Sequence, residues 1–124
     1  MRLVIADSSV VSRERLIRLL ADLKGVEIAG QASDIPEAKD LAEKLKPDVM
    51  IVDSGLPRGS DVELLSDVKK LHPAPKVIFL ANSPSPELRA DCTASGADYL
   101  FDKSAEIEKV ASVLRGMHRV MDAQ

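Results

Sequence analysis

Pro47-Asp48-Val49-Met50-Ile51-Val52-Asp53 decides the fold. Its four apolar residues run without a break and stop at a carboxylate. A run this short and this apolar reads as a strand buried on both faces, in the middle of a parallel sheet. Asp53 then sits at the C-terminal end of that strand, where open α/β sheets hold their ligands. Ser54-Gly55-Leu56-Pro57-Arg58-Gly59-Ser60 follows, a loop rich in turn residues. Asp53 is therefore expected on the floor of a crevice, overhung by loops. A carboxylate there can also do no more than end the strand, so the rest of the chain has to decide.

On both sides of this strand the chain alternates between strand and helix patterns. Upstream, Leu3-Val4-Ile5-Ala6-Asp7 is a second short apolar run that stops at an acid. Ser9 is a candidate N-cap, and Leu16, Leu19, Leu20 and Leu23 keep helical spacing until Gly25. Val26-Glu27-Ile28-Ala29 alternates like a less buried strand. Ser33-Asp34-Ile35-Pro36 enters a second helix, marked by Ala38, Leu41, Ala42 and Leu45, and Pro47 stops it. Downstream, Ser60-Asp61-Val62-Glu63 is a capping box. It opens a helix with the stripe Leu64, Leu65, Val68 and Leu71, ended by Pro73 and Pro75. Val77-Ile78-Phe79-Leu80-Ala81 is a fourth strand, apolar throughout. Ser85, with Pro86 just inside, starts a weakly amphipathic helix that ends near Gly96. Tyr99-Leu100-Phe101 is the fifth strand. Ser104 is expected to cap a last helix carrying Ile107, Val110, Ala111, Leu114, Met117 and Met121 at helical spacing.

Five such units in 124 residues predict an α/β fold, a five-stranded parallel sheet with helices on both faces. They are too few for an eight-stranded barrel. Periodicity does not give the strand order. The common five-stranded order is 2-1-3-4-5, with its crevice between strands 1 and 3. That order sets Asp7 beside Asp53.

Composition excludes several function classes. The 124 residues read as one domain, residues 1–124, with nothing after the last helix to build an output domain. A hydrophobic fraction of 45% against 30% charged residues is that of an ordinary globular chain. No apolar run approaches a membrane span, and the first one meets Asp7 too soon to be a signal peptide. The single cysteine, Cys92, forms no internal disulfide and fits a reducing cytoplasm. A lone cysteine is more often a packing residue than a nucleophile. A net charge of −3 without a basic block argues against nucleic acid as a direct partner. His72 and His118 are isolated and lack metal-ligand spacing. Tyr99, Phe79 and Phe101 are too few to stack bases.

Together, Leu3-Val4-Ile5-Ala6-Asp7, Pro47 to Asp53, Leu56-Pro57 and Gly96-Ala97-Asp98-Tyr99-Leu100-Phe101-Asp102-Lys103 resemble the receiver domain of bacterial two-component response regulators. The resemblance covers Arg2 to about Met117. Each motif is weak alone, but each stands at the end of the right strand. The resemblance implies a flavodoxin-like (βα)5 fold with order 2-1-3-4-5. It implies Asp53 as phosphoacceptor, Lys103 as the phosphoryl contact, and Asp7, Asp53 and the Gly55 backbone carbonyl as magnesium ligands. It also implies a histidine kinase or phosphotransfer protein as donor, and an output surface on helix 4, strand 5 and helix 5. The chemistry is reasonable on its own terms. A carboxylate can attack phosphorus to give an acyl phosphate, and the approach of two anions calls for a divalent ion and a lysine.

The chain departs from the family at several of these positions. Most receivers carry two adjacent acids after strand 1, and here the second is Ser8, a degenerate metal position. Strand 4 ends in Ala81, where the family has Ser or Thr; the switch aromatic of strand 5 is Leu100, flanked by Tyr99 and Phe101; and Asp61 replaces a common glycine. Pro84 and Pro86 stiffen the loop after strand 4. Magnesium binding and switching are therefore expected to be weak. Three readings follow: a receiver phosphorylated at Asp53, a receiver-like interaction module that signals without phosphorylation, and a phosphate-ester hydrolase. The last lacks a general acid–base residue after Asp53. Val113 and Val120 are expected outside the main stripe of the last helix, as a hint of a contact face or homodimer.

Overall fold

The structure, a computed structural model, describes residues 1–122. Strands and helices alternate as β1 (Arg2–Ala6), α1 (Val10–Leu20), β2 (Glu27–Ala32), α2 (Ile35–Leu45), β3 (Val49–Asp53), α3 (Asp61–Lys69), β4 (Lys76–Ala81), α4 (Pro86–Ser95), β5 (Tyr99–Asp102) and α5 (Glu108–Asp122). The five strands form one sheet in the order β2-β1-β3-β4-β5, parallel at every pairing. This is the expected flavodoxin-like architecture.

Burial follows from the strand sequences. Val49, Met50, Ile51 and Val52 are at most 1% exposed, and burying each such side chain stabilises the fold by about 1.5–3 kcal/mol. One face of the sheet packs Val4, Met50, Val52 and Phe79 against Ala38, Leu64, Leu65 and Cys92 of α2, α3 and α4. The other packs Leu3, Ile5, Ile51 and Leu80 against Leu16, Leu20, Val110 and Leu114 of α1 and α5. Cys92 is a packing residue, and burial, with Asp61 and Asp91 nearby, pushes its thiol up to about 11.

Ser9, Asp34, Ser60 and Ser85 each accept a hydrogen bond from the backbone N–H three residues on, as N-caps should. Ser104 does not cap α5. Asp102 takes that ground: its Oδ1 accepts from the Ser104 N–H at 3.0 Å, the Ser104 hydroxyl at 2.7 Å and the Ala105 N–H at 3.4 Å. The Ser104 hydroxyl is thus spent as a donor, the Glu106 N–H that a Ser104 cap would hold donates instead to the Asp102 carbonyl at 2.7 Å, and α5 begins only at Glu108. Helix α1 ends at Leu20, three residues before Leu23, and β2 runs on to Ala32. Val113 is half-buried against the α1–α5 core and lies within the apolar stripe of α5, whereas Val120 is 60% exposed.

Candidate functional site

Strand register sets the site. Ala6 pairs with Val52, Asp53 with Leu80, and Ala81 with Asp102. Asp7, Asp53 and Lys103 therefore stand at the ends of β1, β3 and β5 on the same C-terminal edge, with β4 between the last two. Asp7 is 3% exposed, the one buried charged residue among those described. Its N–H donates to the Ala32 carbonyl at 2.9 Å, and the Ala81 carbonyl accepts the Lys103 N–H at 2.9 Å. The Lys103 ammonium donates to Asp7 Oδ2 at 3.0 Å and to Asp53 Oδ1 at 2.9 Å. The expected trio has converged on one point.

Two carboxylates share one ammonium, and their ionisation diverges. Burial, opposed by Lys103 and reinforced by the charge of Asp7, holds the Asp53 carboxyl above its ordinary value. Burial also pushes Asp7 up, but hydrogen bonds from the Ser12 side chain, the Ser9 N–H and Lys103 outweigh it and leave Asp7 lowered. Burial works against the Lys103 charge, but its bonds to Asp53 and Asp7 prevail and raise it. The Arg13 guanidinium donates to the Asp7 carbonyl and, at 3.3 Å, to Gln31 Oε1. That closes the β2 side of the site.

The other expected positions fall as follows. Gly55 has φ 76°, a conformation that favours glycine, and its N–H donates to Asp61 Oδ2 at 3.0 Å. Ser8 is exposed. Ala81 is buried and apolar at the end of β4. Leu100 packs half-buried against the α2–α4 core, and Phe101 against the opposite one. An open cleft of about 460 Å³ lies over Asp53 and Lys103, walled by Ser12, Arg15, Asn82 and Ser104. Sequence reading missed Ser12, Arg15 and Asn82. The strand-end logic that found Asp7 would have found Asn82, which directly follows β4. Nothing in the sequence marks Arg15.

The family resemblance implies magnesium at this edge. The side chains offer two carboxylates, each already bonded to Lys103, and the neutral, exposed Ser8 where a third would stand. No group of three or more His, Cys, Asp or Glu among the described residues is placed to hold a metal. Magnesium gives up water reluctantly and favours charged oxygen ligands. This donor set fits it poorly.

Comparison with known proteins bears on the whole chain. A family model described as "Response regulator receiver domain" matches residues 3–115. A protein-glutamate methylesterase/protein-glutamine glutaminase of Hydrogenovibrio crunogenus is 31% identical over 101 residues, 82% of this chain and 24% of that protein. The response regulator GacA of Pseudomonas viridiflava is 26% identical over 114 residues, 92% of this chain and 53% of that protein. The chain thus spans about a quarter of the first relative and about half of the second. The response regulator domain of Thermotoga maritima CheB superposes with a TM-score of 0.82 at 25% identity, over 98% of this chain and 96% of that one. No helix among the described residues is long and apolar enough to cross a membrane. With the sheet order, the acidic edge and the family model in agreement, this chain belongs to the response regulator receiver domains of two-component signalling.

Proposed function

We propose that Asp53 accepts a phosphoryl group from a histidine kinase or phosphotransfer protein. The observation that carries this reading is the Lys103 ammonium held between Asp7 and Asp53 at 3.0 and 2.9 Å. An Asp53 oxygen attacks phosphorus, the P–N bond to the donor histidine breaks, and the imidazole leaves with the electron pair. Lys103, at the floor of the cleft, swings from the carboxylates to the new phosphoryl oxygens as a point charge. The reading places the chain in the cytoplasm, where the buried Cys92 stays a thiol.

Receiver domains generally bind Mg2+ for phosphorylation. Here binding is weak, and Ser8 is the main cause. Ser8→Asp should tighten magnesium binding in a titration followed by amide NMR shifts. Switching is weak as well. Ala81 withholds a hydrogen bond to the phosphoryl group worth about 1.5–3 kcal/mol, and Leu100 offers no hydroxyl to follow it. Beryllofluoride should therefore move few resonances in α4 and α5. Output passes to a downstream protein through α4, β5 and α5, where Tyr99, Val113, Met117 and Val120 line an apolar groove of about 510 Å³.

A second reading is an interaction module that works without phosphorylation. Ser8, Ala81 and Leu100 favour it. Incubation with acetyl phosphate followed by intact-mass measurement separates the two. The first reading expects one phosphoryl adduct in wild type and none in Asp53→Asn. No adduct in wild type, or one that persists in Asp53→Asn, leaves the second.

A further inference from the structure

The geometry points to Arg15 as a phosphoryl-binding residue that supplies, from α1, the positive charge magnesium is poorly placed to supply. This rests on the Asp53 reading and extends it to a residue outside the expected set.

Several observations meet at this side chain. Arg15 walls the cleft over Asp53 and Lys103. It also walls an adjoining space of about 270 Å³ with Lys103, Ser104 and Ile107, so there is open room on both sides of the lysine. Arg13, two residues earlier, is spent on the Asp7 carbonyl and Gln31. Arg15 makes no ion pair or hydrogen bond among the described residues. Its helix neighbours at three and four residues are Val11, Ser12, Arg18 and Leu19, none of them acidic. The one carboxylate in the cleft with it is Asp53.

Charge balance gives this free cation its role. Asp7 and Asp53 are met by Lys103 alone among the described residues, and phosphorylation replaces the single charge of Asp53 with the roughly two of an acyl phosphate. A guanidinium stays charged at any working pH and presents paired N–H donors that match two phosphoryl oxygens. An exposed, unengaged arginine at the rim can swing onto the phosphoryl group without breaking a contact of the resting state. Lys103 then holds the group from below and Arg15 from above.

Two measurements test the assignment. The first needs no phosphorylation. In Asp53→Asn, inorganic phosphate is titrated while the Arg15 Nε–H signal and the Asn82 and Ser104 amides are followed by NMR. Arg15→Gln in that background should weaken phosphate by about tenfold or more, the value of a hydrogen bond to a charged group. Arg15→Lys should weaken it less. The second is the rate of Asp53 loading by acetyl phosphate, in chelator and along a magnesium series. Arg15→Gln should slow loading most in chelator, with the deficit shrinking as magnesium rises. Arg15 is exposed and glutamine is a good helix former, so matching amide spectra serve as the fold control. Equal phosphate affinity in Asp53→Asn with and without Arg15→Gln overturns the assignment, as does equal loading of wild type and Arg15→Gln in chelator. No loading of wild type, alongside Arg15-dependent phosphate binding, overturns the Asp53 reading and leaves Arg15 as an anion-binding residue.

Discussion

Two lysine–aspartate clusters sit at opposite ends of the same parallel sheet and are built in opposite proportions. At the N-terminal edge one carboxylate, Asp98, takes the Lys69 ammonium at 2.8 Å, the Val77 N–H at 2.8 Å and a looser Lys76 at 3.8 Å. Lys69 also donates to the Pro75 carbonyl at 2.9 Å. Burial pushes Asp98 up, but Lys69 and the Val77 N–H more than offset it and leave the carboxyl lowered. The cluster ties the end of α3 to the starts of β4 and β5, and its charge is used up in the fold. At the C-terminal edge two carboxylates share one ammonium, and Asp53 is raised. Identical residue types make a staple where cations outnumber acids. They make a site where acids outnumber cations, because only there does unbalanced charge remain for a ligand to complete.

The largest effect expected from this difference is on stability. Lys103→Met leaves Asp7 and Asp53 facing each other without a cation. Removing one partner of a buried pair costs about 3–5 kcal/mol, and Lys103, with 20% of its side chain exposed, belongs at the low end. Lys69→Met leaves Asp98 with Val77 and Lys76, so a loss of about 1.5 kcal/mol is expected, the low end for one charged hydrogen bond, because both side chains are about a quarter exposed. Denaturant midpoints at neutral pH measure both. Without Lys103 the two carboxyls rise, and the folded state takes up protons that the unfolded state does not. The Lys103→Met deficit therefore stands in full above the raised folded values and narrows as pH falls through them. Equal losses at the two edges break the comparison.

A smaller effect reverses sign between the edges. Asp53 is raised above the ordinary 3.8, so its ionised form is disfavoured by folding. That cost is present above the folded pKa and disappears as pH falls below the unfolded one. Asp98 is lowered from 3.8, so its stabilisation is present above that value and is lost as pH falls through the folded pKa. At neutral pH, Asp53→Asn should therefore stabilise the chain and Asp98→Asn destabilise it. Both changes should be smaller than the loss expected of Lys103→Met, which strips the cation from two carboxylates at once. Urea midpoints followed from pH 7 down to about pH 3 should show both differences closing. A destabilising Asp53→Asn means the Lys103 bond outweighs burial, and the site is then a staple too.

The sequence carried the parts of this arrangement that depend on neighbours along the chain. Unbroken apolar runs marked β1, β3 and β4, and the residues that end or follow them marked Asp7 and Asp53. Ser9, Asp34, Ser60 and Ser85 announced their helices through the local chemistry of capping. Lys103 was legible because it directly follows β5 within a longer family pattern. Ser104 misled because its hydroxyl donates to the Asp102 carboxylate two residues upstream, and the Glu106 N–H it would cap donates to the Asp102 carbonyl. Val113 misled because the buried stripe of α5 is wider than one row: it lies three residues after Val110 and one before Leu114, both of which are buried. Arg15 was invisible because its significance lies in space left open by β3, β5 and the loops, which no spacing in α1 encodes.

The smallest expected effect concerns a third carboxylate, which belongs to neither edge cluster. Asp61 is the first residue of α3, behind its N-cap Ser60. Its Oδ2 holds the Gly55 N–H at 3.0 Å. Its Oδ1 is buried with no hydrogen-bond partner among the described residues. Asp61→Gly removes both at once. The lost bond to a charged acceptor costs about 1.5–3 kcal/mol, and release of an unpaired buried oxygen returns about 1–3 kcal/mol. Loss of a negative charge from the first helical turn subtracts a further 0.3–1 kcal/mol or so. At mid-range values these three sum to a net loss of about 1 kcal/mol. The local effect should exceed the global one, with the Gly55 amide exchanging faster once its acceptor is gone. Amide exchange at Gly55, set beside the denaturant midpoint of Asp61→Gly, reads the two separately. A loss as large as that of Lys103→Met would make Asp61 a staple in its own right. Unchanged exchange at Gly55 would mean the loop after Asp53 is held by its own backbone and not by this carboxylate.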